Sequence, residues 1–269
     1  MDKLTYFVPV DFSDCSYNAV QYATLLAKMF NGKVQLFHVA DARNIAESDN
    51  PVVVMRSMDQ LVEKAVSRMH SFCEMISETW QLQVNYSVTA GNVGHTLLNE
   101  IKNTKPDVIV FGKNKKGCYL LKKMLANTNI PVFVIPASAR IQEPTNIILT
   151  MDMNNLRSEV LLPVVELVQK TSQPLSLLHV PPGNKLNGKA GKQWAEQVAQ
   201  KFNCNITILK EEEQVGIHNI LGQIQAGYAD LLCTVKRQKR FFPSLFTDKF
   251  PTKLALQSKV PTLVITEKG

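Results

Sequence analysis

The chain repeats itself, and that repetition limits the architectures it can adopt. Phe7-Val8-Pro9-Val10-Asp11 is matched by Ile148-Leu149-Thr150-Met151-Asp152, and Leu36-Phe37-His38-Val39 by Leu177-Leu178-His179-Val180, both 141 residues further on. Asp107-Val108-Ile109-Val110 is matched by Asp230-Leu231-Leu232-Cys233, and the histidine of Val93-Gly94-His95 by that of Gly216-Ile217-His218, both at 123 residues. The last apolar runs, Ile130-Pro131-Val132-Phe133-Val134-Ile135 and Val260-Pro261-Thr262-Leu263-Val264-Ile265, lie 130 apart. A common scaffold with one shortened and one lengthened segment produces such drift.

Within the first repeat, short apolar runs at 6–10, 34–39, 82–88, 108–111 and 132–135 read as strands. Between them, Ala19, Val20, Ala23, Leu26, Ala27 and Phe30 recur at helical spacing, as do Leu61, Ala65, Met69, Phe72 and Ile76, then Leu97, Leu98 and Ile101. Strands apolar on both faces, alternating with helices, predict a parallel sheet covered on both sides with right-handed crossovers. The second repeat predicts helices over 159–168, 194–202 and 217–226. Segment 40–58 is polar and then apolar and carries no period. The polar stretch 137–145, with Pro144, marks a boundary between domains over 1–138 and 145–269.

Composition narrows the function classes. At 269 residues, 45% hydrophobic and 20% charged, the chain suits two modest α/β domains. No window reaches the roughly 18 consecutive apolar residues of a membrane span, and the opening residues lack a secretory pattern, so a cytoplasmic protein is expected. Five cysteines without a C-x-x-C predict reduced thiols and no metal site. The net charge of +7 is concentrated in the second half, with 16 Lys/Arg against 11 Asp/Glu, compared with 14 against 12 before residue 139. Solvated loops account for that charge, and no nucleic-acid partner is expected.

The order of these pieces resembles the universal stress protein family. The resemblance rests on Val8-Pro9-Val10-Asp11-Phe12-Ser13, Phe37-His38-Val39, Ala90-Gly91-Asn92, Asp107-Val108-Ile109-Val110-Phe111-Gly112 and Ile130-Pro131-Val132-Phe133-Val134, with a weaker copy in the second half. It implies two tandem Rossmann-like (adenine-nucleotide alpha hydrolase-like) domains, each a five-stranded parallel sheet of order 3-2-1-4-5 flanked by helices. It also implies that the halves pair as a pseudo-dimer through their fifth strands, and that protein partners are possible. Ligands of such sheets bind beyond the carboxyl ends of the strands at the topological switch point. In the first half this places Asp11, Val39, Gly112, Lys113, Lys115 and Gly117 together, and in the second Asp152, Lys236 and Arg237.

Nucleotide-binding members of the family carry G-x2-G-x9-G-[S/T] after strand 4, where glycines let backbone N–H groups approach phosphates. Here Lys115 occupies the second glycine position of the first half, and Val235 and Gln238 replace both glycines of the second. The reading is a binding or signalling module that is not an enzyme and has no cofactor; the alternative is an ATP- or AMP-binding member with an altered phosphate loop. Asp11 and Ser13 equally suit capping of the first helix. The lysines beyond strand 4 could hold an anion or form solvated loops, and Glu211-Glu212-Glu213 could hold a cation or simply leave a strand. Gly112 to Gly117 has Walker-like spacing, but Cys118-Tyr119 follows instead of Lys-[Ser/Thr]. His38 with His179, and His95 with His218, recur between the repeats, which favours scaffold roles. No catalytic motif stands out.

Overall fold

The computed structural model describes residues 3–43, 51–113, 118–151, 158–179, 188–208, 217–224, 227, 229–237 and 249–267. Two compact units are present, Met1–Thr128 and Asn129–Gly269. The first contains β1 (Thr5–Pro9), α1 (Asp14–Phe30), β2 (Lys33–Asp41), α2 (Pro51–Trp80), β3 (Val84–Gly91), α3 (Val93–Thr104), β4 (Val108–Lys113) and α4 (Cys118–Asn127). Its strands are all parallel in the order β3-β2-β1-β4.

Local chemistry sets the helix limits. Ser13 caps α1, accepting from Ser16 N, and Asp14 and Lys28 complement the helix dipole at its two ends. Asn31 closes the helix in the left-handed conformation, with φ of 52°. Ala19, Ala23, Leu26 and Ala27 form the buried stripe of α1 against β1 and β4. β1 buries Tyr6, Phe7 and Val8 in succession, because helices cover both faces of the sheet. The period-free segment resolves into two parts: β2 continues to Asp41, and α2 begins at Pro51, ten residues before the periodicity predicted it. Proline suits the first helical turn, where its missing N–H has no intrahelical partner.

The second unit contains β5 (Val132–Pro136), β6 (Ile147–Met151), a 3-10 turn (Ser158–Leu161), α5 (Leu162–Thr171), β7 (Leu175–His179), α6 (Gly188–Phe202), β8 (Ile206–Ile208), α7 (Ile217–Gln223), β9 (Leu231–Arg237), α8 (Lys249–Gln257) and β10 (Thr262–Glu267). Strand order is β5-β10-β9-β6-β7-β8, so the second repeat reads 3-2-1-4-5 in its own count. β5 and β10 pair antiparallel, Val134 opposite Thr262 and Val132 opposite Val264, which meets the expectation that the fifth strands join. That pairing places β5 in the second compact unit. Ile148, Leu178, Ile220, Ile224, Leu232 and Leu254 form a core cluster there.

The repeat-equivalent aspartates have a structural task. Asp107 accepts from Thr5 N at 2.8 Å, while Asp230 accepts from Asn146 N at 2.9 Å and Thr145 N at 3.0 Å. Each carboxylate fastens the start of its repeat's first strand to the start of its fourth.

Candidate functional site

β1 is the shortest of the three central strands of the first unit, and a cleft forms where it stops. It pairs with β2 only as far as Pro9 opposite Phe37, and with β4 at Tyr6 and Phe7. Both neighbours run on, β2 to Asp41 and β4 to Lys113. Between these overhangs lies a cavity of about 300 Å³ at the carboxyl ends of the strands. Val10, Asp11, His38, Val39 and Gly112 line it, with Asp41, Phe111 and Ser16; Val93 and Leu97 of α3 and Leu120 of α4 close one side. Asp11, Val39 and Gly112, which the switch-point rule grouped, line one cleft.

Asp11 leaves β1 at the mouth of the cleft. Its Oδ1 accepts from Ser13 N at 3.0 Å and from Ser13 Oγ. Burial raises its pKa, but the bonds from Ser13 and Ser16 outweigh burial and hold the carboxyl below its ordinary value. Asp11 thus supports the capping residue Ser13 and also faces the cleft. Phe12, next in the chain, adopts φ of 60°, a conformation a non-glycine residue enters at a cost of about 1 kcal/mol. Its ring is held against His38 (4.7 Å), Phe72 (6.1 Å) and the Arg68 guanidinium (4.0 Å). This packing offsets the strain at the turn that presents Asp11.

His38 does more than the scaffold role its recurrence suggested. Nδ1 donates to the Val10 carbonyl at 2.7 Å, tying β2 to the end of β1, while the ring forms part of the cleft wall. Asp41, which sequence reasoning missed, lines the cleft where β2 overshoots. Arg43 grips it, chiefly through the side-chain hydrogen bonds, one at 2.8 Å from Nε, and lowers its pKa.

Gly112 has a packing duty of its own. A Cβ there would lie 2.2 Å from the Cys15 carbonyl oxygen and 2.8 Å from Ser16 N, so glycine is what lets α1 begin directly against β4. The basic runs after the fourth strands are not solvated at their first residues, contrary to the loop reading. Lys113 is the last residue of β4 and is largely removed from solvent; burial pushes its pKa down, against the pull of Cys118 and Cys15. Lys236 lies within β9 and is buried, and Arg237 ends that strand. The fourth strands run further than their apolar residues indicated, which explains the correction. Lys113 is not among the residues lining the cleft. Lys115, Gly117 and Asp152, with Glu211-Glu212-Glu213, lie outside the described residues.

Among the described residues no cluster of His, Cys, Asp and Glu could hold a metal ion, and no helix is long and apolar enough to cross a membrane.

Residues 7–136 match the universal stress protein family. The first repeat is a universal stress protein domain. The whole chain has the tandem form of that fold. It is similar to a universal stress protein from Archaeoglobus fulgidus DSM 4304, with a TM-score of 0.77 and 15% identity, over 97% of this chain and 98% of the other. It is also similar to a proposed universal stress protein from Pseudomonas aeruginosa UCBPP-PA14 (TM-score 0.64, 11% identity, 97% and 92% covered). A functionally unknown protein from Pseudomonas aeruginosa PAO1 gives a TM-score of 0.62 at 11% identity, with 97% and 92% covered. At such identities these likenesses speak for the fold alone. No curated protein matches the chain.

Proposed function

We propose that this universal stress protein is a non-catalytic binding or signalling module of the stress response, and that the first-unit cleft holds its ligand. The observation that carries this reading is the cleft itself, where Asp11, Val39 and Gly112 from three different segments meet beyond the end of β1. Its size is at the lower end of that of small-molecule sites. The hydrogen-bonding of its polar side chains supports a role without chemistry: Ser16 Oγ donates to the Ser13 carbonyl at 2.9 Å, and His38 Nδ1 donates to Val10, so neither is paired as nucleophile and base. The replaced glycines, Lys115 in the first half and Val235 and Gln238 in the second, support loss of the family's phosphate cradle.

A second reading has ATP or AMP bound in the same cleft with an altered phosphate loop. The presence of both Asp11 and Val39 on the cleft wall favours it. Calorimetric titration with ATP, ADP and AMP, with magnesium, against wild type and Asp11→Ala, separates the two. The first reading expects no binding of triphosphate below millimolar concentration and no turnover. Micromolar binding that depends on Asp11 would establish the second.

A further inference from the structure

We propose that the open edge of β3 is the surface through which two copies of this chain associate, the two β3 strands pairing antiparallel about a two-fold axis at Ser87.

β3 is the outermost strand of the first unit and pairs with β2 on one side only. Among the described residues, its one further backbone bond is at its end, where the Gly91 carbonyl accepts from Ala42 N at 3.3 Å. Alternate residues of a strand turn both N–H and C=O to the same side, so half of these eight residues present donors and acceptors along the free edge. Such edges are ordinarily guarded by charge, by proline or by shortness. From Gln81 to Asn92 the chain has no Lys, Arg, Asp, Glu or Pro. The outermost strand of the second unit, β8, has three residues and offers far less to pair with. The fifth strands, through which the family resemblance implies pairing, are joined to each other within the chain as β5 and β10. That leaves β3 as the long edge open to a second molecule.

The side chains suit self-pairing. The Tyr86 ring lies 6.3 Å from that of His70, so Val84, Tyr86, Val88 and Ala90 are on the α2 side of the sheet and Asn85, Ser87 and Thr89 on the other. Tyr86, Val88 and Ala90 are only half-buried, and Val66, one turn before His70 on α2, is 37% exposed, so the apolar side of the strand is open laterally. Antiparallel hydrogen bonding sets outward-facing residues opposite one another, so the two-fold axis must place one residue opposite its own copy. Axes at Ser87 and at Val88 each keep seven of the eight residues paired. The axis at Ser87 sets Tyr86 opposite Val88 of the second copy, an aromatic against a β-branched residue, with Asn85 opposite Thr89 and Val84 opposite Ala90. The axis at Val88 would set Tyr86 against Ala90 only. No charged residue lies in the strand to meet its like across the seam. At about 3.4 Å per residue the seam is about 27 Å long. With α2 and α3 packed on β3, the contact is about 20 Å deep and buries roughly 1,000 Å² in total, which suits a weak, micromolar dimer.

Sedimentation velocity of the full-length chain over a concentration series is the test. The expected result is a reversible equilibrium between one and two chain masses with nothing larger, because the pairing uses up the edge. Asn85 and Thr89 are exposed, so charge placed there should leave the monomer folded, which a thermal melt checks. Asn85→Lys together with Thr89→Lys sets two like-charge pairs across the seam and should weaken the dimer at least tenfold. Asn85→Glu together with Thr89→Glu should do the same. Mixing the two double variants sets opposite charges face to face and should restore association to within about threefold of wild type. A dimer whose affinity ignores both double variants lies on another surface and overturns the proposal, as does failure of the mixture to associate. A wild-type chain that stays monomeric at about 200 µM overturns it too, whether or not an extended peptide of another protein binds the edge.

Discussion

Replacing Gly112 with alanine should damage the first unit more than its single added methyl group suggests. The new Cβ would sit 2.2 Å from the Cys15 carbonyl oxygen, 2.5 Å from the Cys15 carbonyl carbon and 2.8 Å from Ser16 N. All three are backbone atoms, so no rotamer change relieves the clash, and the start of α1 must retreat by roughly 1 Å to reach ordinary contact. Overpacking of this kind costs about 1–3 kcal/mol, and a backbone clash belongs at the upper end. For a chain of this size about 3 kcal/mol corresponds to a fall of roughly 6–12 °C in melting temperature. The two tryptophans make the assay unit-specific, because Trp80 lies in α2 and Trp194 in α6. In a Trp194→Phe background, thermal melting followed by tryptophan fluorescence reports the first unit. Gly222→Ala in α7 of the second unit is the comparison, followed through Trp194 in a Trp80→Phe background: among the described residues nothing lies within 4 Å of its added Cβ, so it should be neutral or stabilise by up to about 1 kcal/mol. A Gly112→Ala protein that melts within 2 °C of its parent would refute the packing argument, and with it the claim that this glycine serves α1.

Further outcomes follow from the same geometry. Asp230→Ala removes the acceptor of Thr145 N and Asn146 N and should cost the second unit about 2 kcal/mol, measured by urea denaturation followed through Trp194. Ser13→Ala deletes the cap of α1 and should cost about 1 kcal/mol in the Trp80 melt. Since the folded pKa of Asp11 lies below its unfolded value of about 3.9, its contribution is present above that pH and is lost as pH falls through the folded value. Stability should accordingly fall more steeply below about pH 4 in wild type than in Asp11→Asn. Cys15, Cys73 and Cys233 are buried, and burial raises the Cys73 thiol to about 11 and that of Cys233 further. These three should resist a disulfide reagent at pH 8 in the native protein, with all five cysteines reacting after unfolding in guanidinium.

The architecture was legible because repetition and periodicity report burial, and burial is what a two-sided parallel sheet imposes on its strands. The offsets of 141 and 123 residues identified the first and fourth strands, and the recurring Asp107 and Asp230 marked where those strands are fastened together. Cleft residues were legible as far as the switch-point rule reaches, which covers Asp11, Val39 and Gly112. The rule names positions and not duties. It did not reveal that Gly112 makes room for Cys15, because that contact joins segments about a hundred residues apart. The start of α2 was hidden because the apolar residues from Val52 to Met55 are mostly exposed and carry no one-sided pattern. Lys113 and Lys236 read as loop residues because charge usually marks solvent, whereas both lie in strands that run past the end of the apolar run. Asp41 escaped notice for a related reason: its place on the wall depends on β2 outrunning β1, a difference in length that periodicity does not measure.

The central claim is that the first-unit cleft holds a small ligand. Its most direct test is two-dimensional amide NMR of the full-length protein titrated with adenosine, and with tryptamine as a second probe. The account predicts that saturable shifts begin at Asp11, Val39 and Gly112, extend to His38 and Leu97, and vanish in Asp11→Ala while the remainder of the spectrum is retained. Shifts centred outside the cleft, or none at millimolar concentration of either probe, would contradict it.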